Sequence, residues 1–322
     1  MSEVLALKYR PKTFDEVIGQ DTTVRQLKAA LENGTLGHAL IFCGTRGSGK
    51  TTSARIVAKE LNPALSENEL AMVVSEVDAA SNTGVDNVRE IIESIRYSRQ
   101  GHQVVVLDEA HMLSKNAFNA LLKTLEEPPP GVTFILLTTE PNKLIPTVRS
   151  RCQLYEFTDV PVAVLKAHYL DIAGREKLKL DPATAEGIAL KAEGSVRDGL
   201  TLLQKHLSGE EVVDNSKLYF ELVGSIYAGD VTTALDLVST VRKTEEARVI
   251  IQTLEKWFWW CSLESFGQKT PVRDFFPEGA SQGFDLSRLQ DLFSKCLEIE
   301  KDLYATPNSK AVVEMGVIKL CL

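Results

Sequence analysis

Apolar residues in the first half of the chain fall into short, nearly unbroken runs separated by longer amphipathic stretches. The runs are Ala39–Cys43, Val73–Asp78, Gln103–Asp108, Val132–Leu137 and Gln153–Phe157. Runs of this length without strict alternation predict strands buried on both faces, as in a parallel sheet. Between them the spacing turns helical, after Lys50 and over Val85–Tyr97 and Lys115–Leu125, and the triple proline Pro128-Pro129-Pro130 ends the last of these. Strand and helix in alternation predict an α/β domain whose sheet is wrapped by helices.

Past Pro161 the strand signal stops. Asp181-Pro182 predicts a helix start, with Asp at the N-cap and Pro in the first turn. Gly194-Ser195 separates two helical patterns, and a further helix fits Asn215–Val223 and is expected to stop at Gly224. The rest is helical, with a loop-like interruption from Gly267 to Gly283. The expected organisation is an α/β domain over residues 1–160, a small helical domain over 161–224 and a larger helical domain over 225–322.

Composition narrows the class. The chain has 322 residues, 44% hydrophobic and 25% charged, which fits two or three globular domains. No apolar run reaches the roughly 20 residues of a membrane span, and the N-terminus has no signal-peptide pattern. Five scattered cysteines suggest neither a disulfide framework nor a zinc site, so a reducing cytoplasm is expected. A net charge of −8 argues against an all-over basic coat but leaves room for a local basic track.

The strongest chemical signal is Gly44-Thr45-Arg46-Gly47-Ser48-Gly49-Lys50-Thr51, followed by Thr52, between the first strand and a helix. Glycines at these positions let backbone N–H groups turn inward around phosphate oxygens, and the helix N-terminus adds partial positive charge. Lys50 is placed to neutralise the β- and γ-phosphates of ATP, and Thr51 to offer its hydroxyl to Mg²⁺.

Asp108-Glu109-Ala110-His111 supplies the second half of such a site, because open α/β sheets bind ligands at the carboxyl ends of their strands. Asp108 suits Mg²⁺ and Glu109 suits activation of an attacking water. His111 reads as a packing or capping residue. The Leu136-Leu137-Thr138-Thr139 run ends the next strand in polar groups. Arg151 stands where it could act on a neighbouring subunit, and Arg197 where it could fold over the nucleotide.

Taken together, these motifs resemble the ATPase subunits of gamma/tau type in bacterial DNA polymerase III clamp loaders. The resemblance runs from Lys8-Tyr9-Arg10-Pro11 through Ile18-Gly19-Gln20, the phosphate loop, Asp78-Ala79-Ala80-Ser81 and Asp108–Leu113. It continues through Phe118–Pro129, Ser150-Arg151-Cys152 and Gly194–Asp198, and fades after about the first two hundred residues. It implies an AAA+ fold with sheet order 5-1-4-3-2, a helical lid and a collar that assembles a pentamer. It makes Thr139 the γ-phosphate sensor, Arg197 a lid sensor in cis and Arg151 a finger in trans. It also places Tyr9, Arg10, Pro11, Val17 and Ile18 around the adenine. The implied partners are other clamp-loader subunits, a sliding clamp and primer–template DNA, in a bacterial or phage-infected cytoplasm with no membrane.

The chain departs from that family at two points. Bacterial members carry a cysteine-rich zinc module after the phosphate-loop helix, whereas Leu61–Leu70 is short and has no cysteine, so no zinc is expected. The long extension of the tau form is also not expected, as in a compact, phage-type version, with the origin left open. Asn82, Thr83 and Gly84, with Ser114, Lys115 and Asn116, look like helix starts that could meet DNA phosphates or simply cap their helices. Trp257-Phe258-Trp259-Trp260 suits packing within the collar or against a neighbour. Two other functions stay open on the residues alone: another AAA+ DNA motor, such as a helicase or branch-migration ATPase, and a nucleotide-binding structural subunit that never hydrolyses ATP.

Overall fold

A computed structural model describes residues 4–81, 84–97, 101–209, 216–241, 247–267, 284–306 and 308–322. Two compact units divide the chain, Met1–Glu210 and Glu211–Leu322. The first contains strands β1 (Ala39–Gly44), β2 (Val74–Asp78), β3 (Gln103–Asp108), β4 (Val132–Thr138) and β5 (Gln153–Phe157). Its helices are α1 (Leu5–Lys8), α2 (Asp21–Glu32), α3 (Lys50–Glu60), α4 (Glu67–Val73), α5 (Val85–Tyr97), α6 (Lys115–Glu126), α7 (Pro146–Arg149), α8 (Val162–Arg175), α9 (Pro182–Lys191) and α10 (Val196–Leu207).

All strand pairs are parallel, in the order β2-β3-β4-β1-β5. Read from the other edge this is the expected 5-1-4-3-2. Successive residues point to opposite faces of a strand, so each central strand feeds two cores. Ile41, Val105, Leu107, Phe134 and Leu136 pack with Phe118, Leu121 and Leu125 of α6 on one face. Leu40, Phe42, Val104, Val106, Ile135 and Leu137 pack with Leu27 of α2 and Ile56 and Val57 of α3 on the other.

Not every strand is buried on both faces. β2 and β5 are the sheet edges and alternate between covered and exposed positions, unlike β1, β3 and β4. Their apolar runs predicted burial, but an edge strand has one neighbour and fewer helices over it. The interval Leu61–Leu70, expected only as a short connection, leads into α4, which opens with a capping box in which Ser66 and Glu69 satisfy each other's backbone N–H groups.

After β5, α8, α9 and α10 form a helical bundle around Leu165, Tyr169, Ile172, Ile188 and Leu203. Asp181 caps α9 as expected, accepting from the N–H groups of Ala183 and Thr184 at 3.0 Å each. Leu5 from α1 also belongs to this core, and its N–H donates to Gln204 of α10 at 2.9 Å. Gly199 is required here, because an added Cβ would overlap the Tyr169 hydroxyl at 1.6 Å.

The second unit holds α11 (Ser216–Ala228), α12 (Val231–Val241), α13 (Ala247–Ser265), α14 (Leu286–Ala305) and α15 (Ser309–Cys321). The expected stop at Gly224 is corrected: α11 runs on to Ala228, and its Leu222, Val223 and Ile226 are core residues of this unit. Burial of that face outweighs the roughly 1 kcal/mol that a helical glycine costs. The division therefore falls between residues 210 and 211, whereas the expected 224/225 boundary lies inside a helix. Trp257 and Phe258 lie in the core, Trp260 packs against it, and Trp259 is half exposed. Most of the interruption expected at Gly267–Gly283 lies outside the described residues. No helix among the described residues is long and apolar enough to cross a membrane.

Candidate active site

β1 delivers the phosphate loop and α3 receives it. Gly49, at φ 107° with open space where a Cβ would stand, makes the turn into the helix. Gly44 ends β1 so close to β5 that an added Cβ would meet the Phe157 carbonyl oxygen at 2.1 Å. Lys50 is buried, and its Nζ donates to the loop's own Gly44 and Thr45 carbonyls at 2.8 and 2.7 Å. Burial lowers its proton affinity, Glu109 and Asp108 oppose that shift, and Arg197 adds to it. An anion arriving in the loop would relieve this desolvation.

A cavity of about 400 Å³ opens beside the loop, within the range of about 300–1,000 Å³ usual for small-molecule sites. Residues 46–52, Asp108, Glu109 and Arg197 line it, as do Tyr9, Arg10, Pro11, Val17 and Ile18. Motifs spread over some two hundred positions thus face one space. Gly44 and Thr45 are not on its wall; Thr45 Oγ1 instead donates to Asp159 at 2.5 Å. Arg10 is among cations, with its proton affinity lowered first by burial and then by Arg55 and Arg197. The Tyr9 hydroxyl donates to Glu176 of the bundle, and that hydrogen bond raises its pKa.

The helical bundle meets the loop at the start of α10, within this unit. The Val196 N–H donates to the Gly47 carbonyl at 3.1 Å, and Ser195 Oγ accepts the Asp198 N–H at 3.2 Å to cap α10. Gly47 has φ +77°, and an added Cβ would stand 2.0 Å from Ser195 Oγ. Arg197 is held at the cavity by the start of a capped helix. Gln20, from the Ile18-Gly19-Gln20 motif, spans the Ser48 and Thr158 carbonyls at 3.3 and 2.6 Å and so ties the loop to the end of β5.

The acidic turn is bent sharply. Asp108 ends β3 and its Oδ1 accepts the Glu109 N–H at 2.9 Å. Glu109 itself is left-handed, at φ 47° and ψ 44°, and its Oε2 is buried with no hydrogen-bond partner. Such a backbone in a non-glycine residue costs about 1–3 kcal/mol and is found where a side chain must be aimed. A carboxylate oxygen without a partner, a buried lysine over a glycine turn and the hard oxygens of Thr51 and Asp108 fit a nucleotide with its divalent cation.

The other expected residues lie elsewhere. Thr139 is half-buried, one position past β4, and does not line the cavity; the fully buried Thr138 ends the strand. Arg151 is exposed, pairs with Glu126 at 2.5 Å and donates to the Thr147 carbonyl at 2.7 Å. Ser114 caps α6, accepting the Ala117 N–H at 3.2 Å, with Lys115 and Asn116 exposed beside it. Gly84 is exposed, whereas Asn82 and Thr83 lie outside the described residues. No group of three or more His, Cys, Asp or Glu among the described residues is placed to hold a metal ion.

Sequence reasoning gave no site role to Glu16, Asp78 or His168, which lie on the cavity wall, although Asp78 opens one of the motifs that carry the resemblance. Asp78 was reachable, because in-register parallel pairing sets it opposite Asp108. His168 has no motif around it; α8 brings it there, and burial lowers its pKa.

A family model described as DNA polymerase III, delta subunit, matches residues 64–161, and one described as Magnesium chelatase, subunit ChlI, matches residues 13–103. The chain is 31% identical to the DNA polymerase III subunit gamma of Buchnera aphidicola subsp. Acyrthosiphon pisum, over 99% of this chain and 98% of that protein. It is 30% identical to the DNA polymerase III subunit tau of Bacillus subtilis, over 97% of this chain and 62% of that one. For the tau subunit of Escherichia coli the identity is 36%, over 77% and 41%. The chain spans about half the length of the tau and tau/gamma relatives it matches. Among solved structures, the Thermotoga maritima RuvB Holliday junction branch migration motor matches with a TM-score of 0.53 and 21% identity, over 92% of this chain and 91% of that one. That likeness is one of fold.

Proposed function

Because this chain belongs to the family of DNA polymerase III gamma/tau subunits and has an AAA+ fold, we propose that it is the ATP-hydrolysing motor of a clamp loader. In this reading it opens a ring-shaped sliding clamp and closes it on primer–template DNA in a bacterial or phage-infected cytoplasm. The observation that carries the reading is the shared cavity, where phosphate loop, acidic turn and bundle arginine converge.

Lys50 exchanges the loop carbonyls for phosphate oxygens, and the backbone N–H groups of the loop supply further donors. Thr51 and Asp108 would hold Mg²⁺, which when bound neutralises phosphate charge. Glu109 orients the attacking water and takes its proton. Arg197 reports the nucleotide to the bundle, whose 161–209 segment acts as the lid. Thr139 senses the γ-phosphate from the end of β4. Tyr9, Pro11, Val17 and Ile18 enclose the base, with Arg10 on the phosphate side of that wall. Arg151, which does not line its own cavity, completes a neighbour's site in a pentamer built on the C-terminal helices. The starts of α5 and α6, with Gly84, Ser114, Lys115 and Asn116, follow the DNA backbone through N–H donors rather than basic side chains. Asn82 and Thr83 belong to the same proposal.

The test is ATP turnover with companion subunits, adding clamp and primer–template separately and together. Both together should raise turnover most. Arg151→Ala should remove the stimulated part while ATP still binds, since such an arginine contributes about 10³- to 10⁵-fold. Turnover indifferent to clamp and DNA would remove the clamp-loader reading.

A further inference from the structure

His111 does more than pack. The left-handed Glu109 folds the turn Ala110–Met112 back on β4, and the His111 ring ends up under the last residue of that strand. Its Nδ1 lies 3.1 Å from Thr138 Oγ1 and 3.5 Å from Glu109 Oε2, and its Nε2 lies 3.5 Å from Glu140 Oε1. The His111 side chain is 9% exposed, so the ring meets these groups from a buried position, although the Glu140 carboxylate itself is half exposed. Thr138 is fully buried, and its Oγ1 already accepts the Glu140 N–H at 3.0 Å. Whichever ring nitrogen carries the proton, it faces a carboxylate: Glu109 from Nδ1, Glu140 from Nε2.

Glu109 Oε2 is the oxygen without a hydrogen-bond partner, and an unsatisfied buried acceptor is costly, the more so when charged. His111 Nδ1 is a few tenths of an ångström beyond hydrogen-bond length from it. We propose that His111 is a positioning residue for Glu109: its Nδ1–H, shared with Thr138 Oγ1 at the end of β4, is the donor placed to reach the Oε2 that lacks one. One oxygen of the carboxylate is then pinned and the other is left to take a proton. The chain beyond Glu140 continues through α7 to Arg151, so the ring stands where the acidic turn meets the segment carrying the exposed arginine. The inference rests on the reading of Glu109 as the group that activates water.

The test compares the full chain with Glu109→Gln, His111→Phe, His111→Asn, His111→Ala and the Glu109→Gln/His111→Phe double variant, all in the assembled clamp loader. Hydrolysis and affinity for a fluorescent ATP analogue are measured for each. His111→Phe should lower kcat on the order of 10²-fold, the usual result of misplacing a reacting group by about an ångström, with affinity unchanged. His111→Asn, which keeps an N–H near the Nδ1 position, should recover most of that loss. The double variant should be no slower than Glu109→Gln alone, as for residues that act as a unit.

Wild-type kcat in His111→Phe overturns the proposal. So does His111→Asn that is no faster than His111→Phe, or than His111→Ala should the Phe variant not fold. So does a kcat loss matched by equal losses of ATP affinity and melting temperature, which is the mark of packing alone. If Glu109→Gln hydrolyses ATP at the wild-type rate, the reading of Glu109 falls and takes this proposal with it. If Glu109→Gln is inactive while His111→Phe is normal, only the positioning role falls.

Discussion

The two units of this chain both bury large apolar cores but differ in where buried polar side chains occur. Among the described residues every buried charged, amide, serine or threonine side chain, from Gln20 to Ser195, lies in the first unit. The second unit packs Leu222, Ile226, Ile250, Leu254, Phe258 and Leu289, and its buried side chains among those described are aliphatic, aromatic or cysteine. Several of the polar groups in the first unit hold the cavity together: Gln20 ties the loop to β5, Ser195 caps the helix carrying Arg197, and Thr138 meets His111. A buried polar group is costly unless satisfied, so such a concentration marks where geometry must be specified. An apolar helical core asks only for volume and pattern.

That contrast can be broken from either side. Phe258→Ala should destabilise the second unit by about 3–5 kcal/mol, the usual cost of emptying a buried phenylalanine site. Thermal melting should show an early transition while ATP affinity stays at the wild-type value. An equal fall in ATP affinity would mean that the units are not separable in this way.

Gly47→Ala acts inside the polar region. The added Cβ meets Ser195 Oγ at a backbone angle that only glycine takes easily, so a strain of about 1–3 kcal/mol is expected. It should appear mainly as lost nucleotide affinity in a titration, because the cradle and the Arg197 helix meet there. A melting temperature that falls with affinity unchanged would place Gly47 outside the cradle.

Ser66→Ala sharpens the comparison at the small end. It removes one half of the α4 capping box, at an exposed position off the cavity wall, and should lower stability by about 1 kcal/mol. ATP turnover should not change, which can be checked in the same assay.

Much of the first unit was legible because its signals are local. A β-type run flanked by a glycine turn predicts β1, the loop and α3, and Asp181-Pro182 predicts the start of α9. What was not legible depends on partners distant in sequence. The edge positions of β2 and β5 follow from sheet order, which the family resemblance implied but their own apolar runs did not. His168 reaches the cavity because α8 packs through Leu165 and Tyr169, and no motif announces that. The continuation of α11 through Gly224 is set by the core that Val223 and Ile226 join. His111 read as a local packing residue, because its contacts with Thr138 and Glu140 arise only when β4 lies beside β3.

The central claim is that the space beside Gly44–Thr51 binds ATP through Lys50, and titration of ATP against Lys50→Ala tests it most directly. The wild-type ammonium is buried, with its Nζ on two loop carbonyls. Its removal leaves phosphate charge unpaired in a poorly hydrated cradle, a loss of about 2–5 kcal/mol. The account predicts a fall in affinity of about 30-fold to several-thousand-fold. Affinity retained within a few-fold would contradict it.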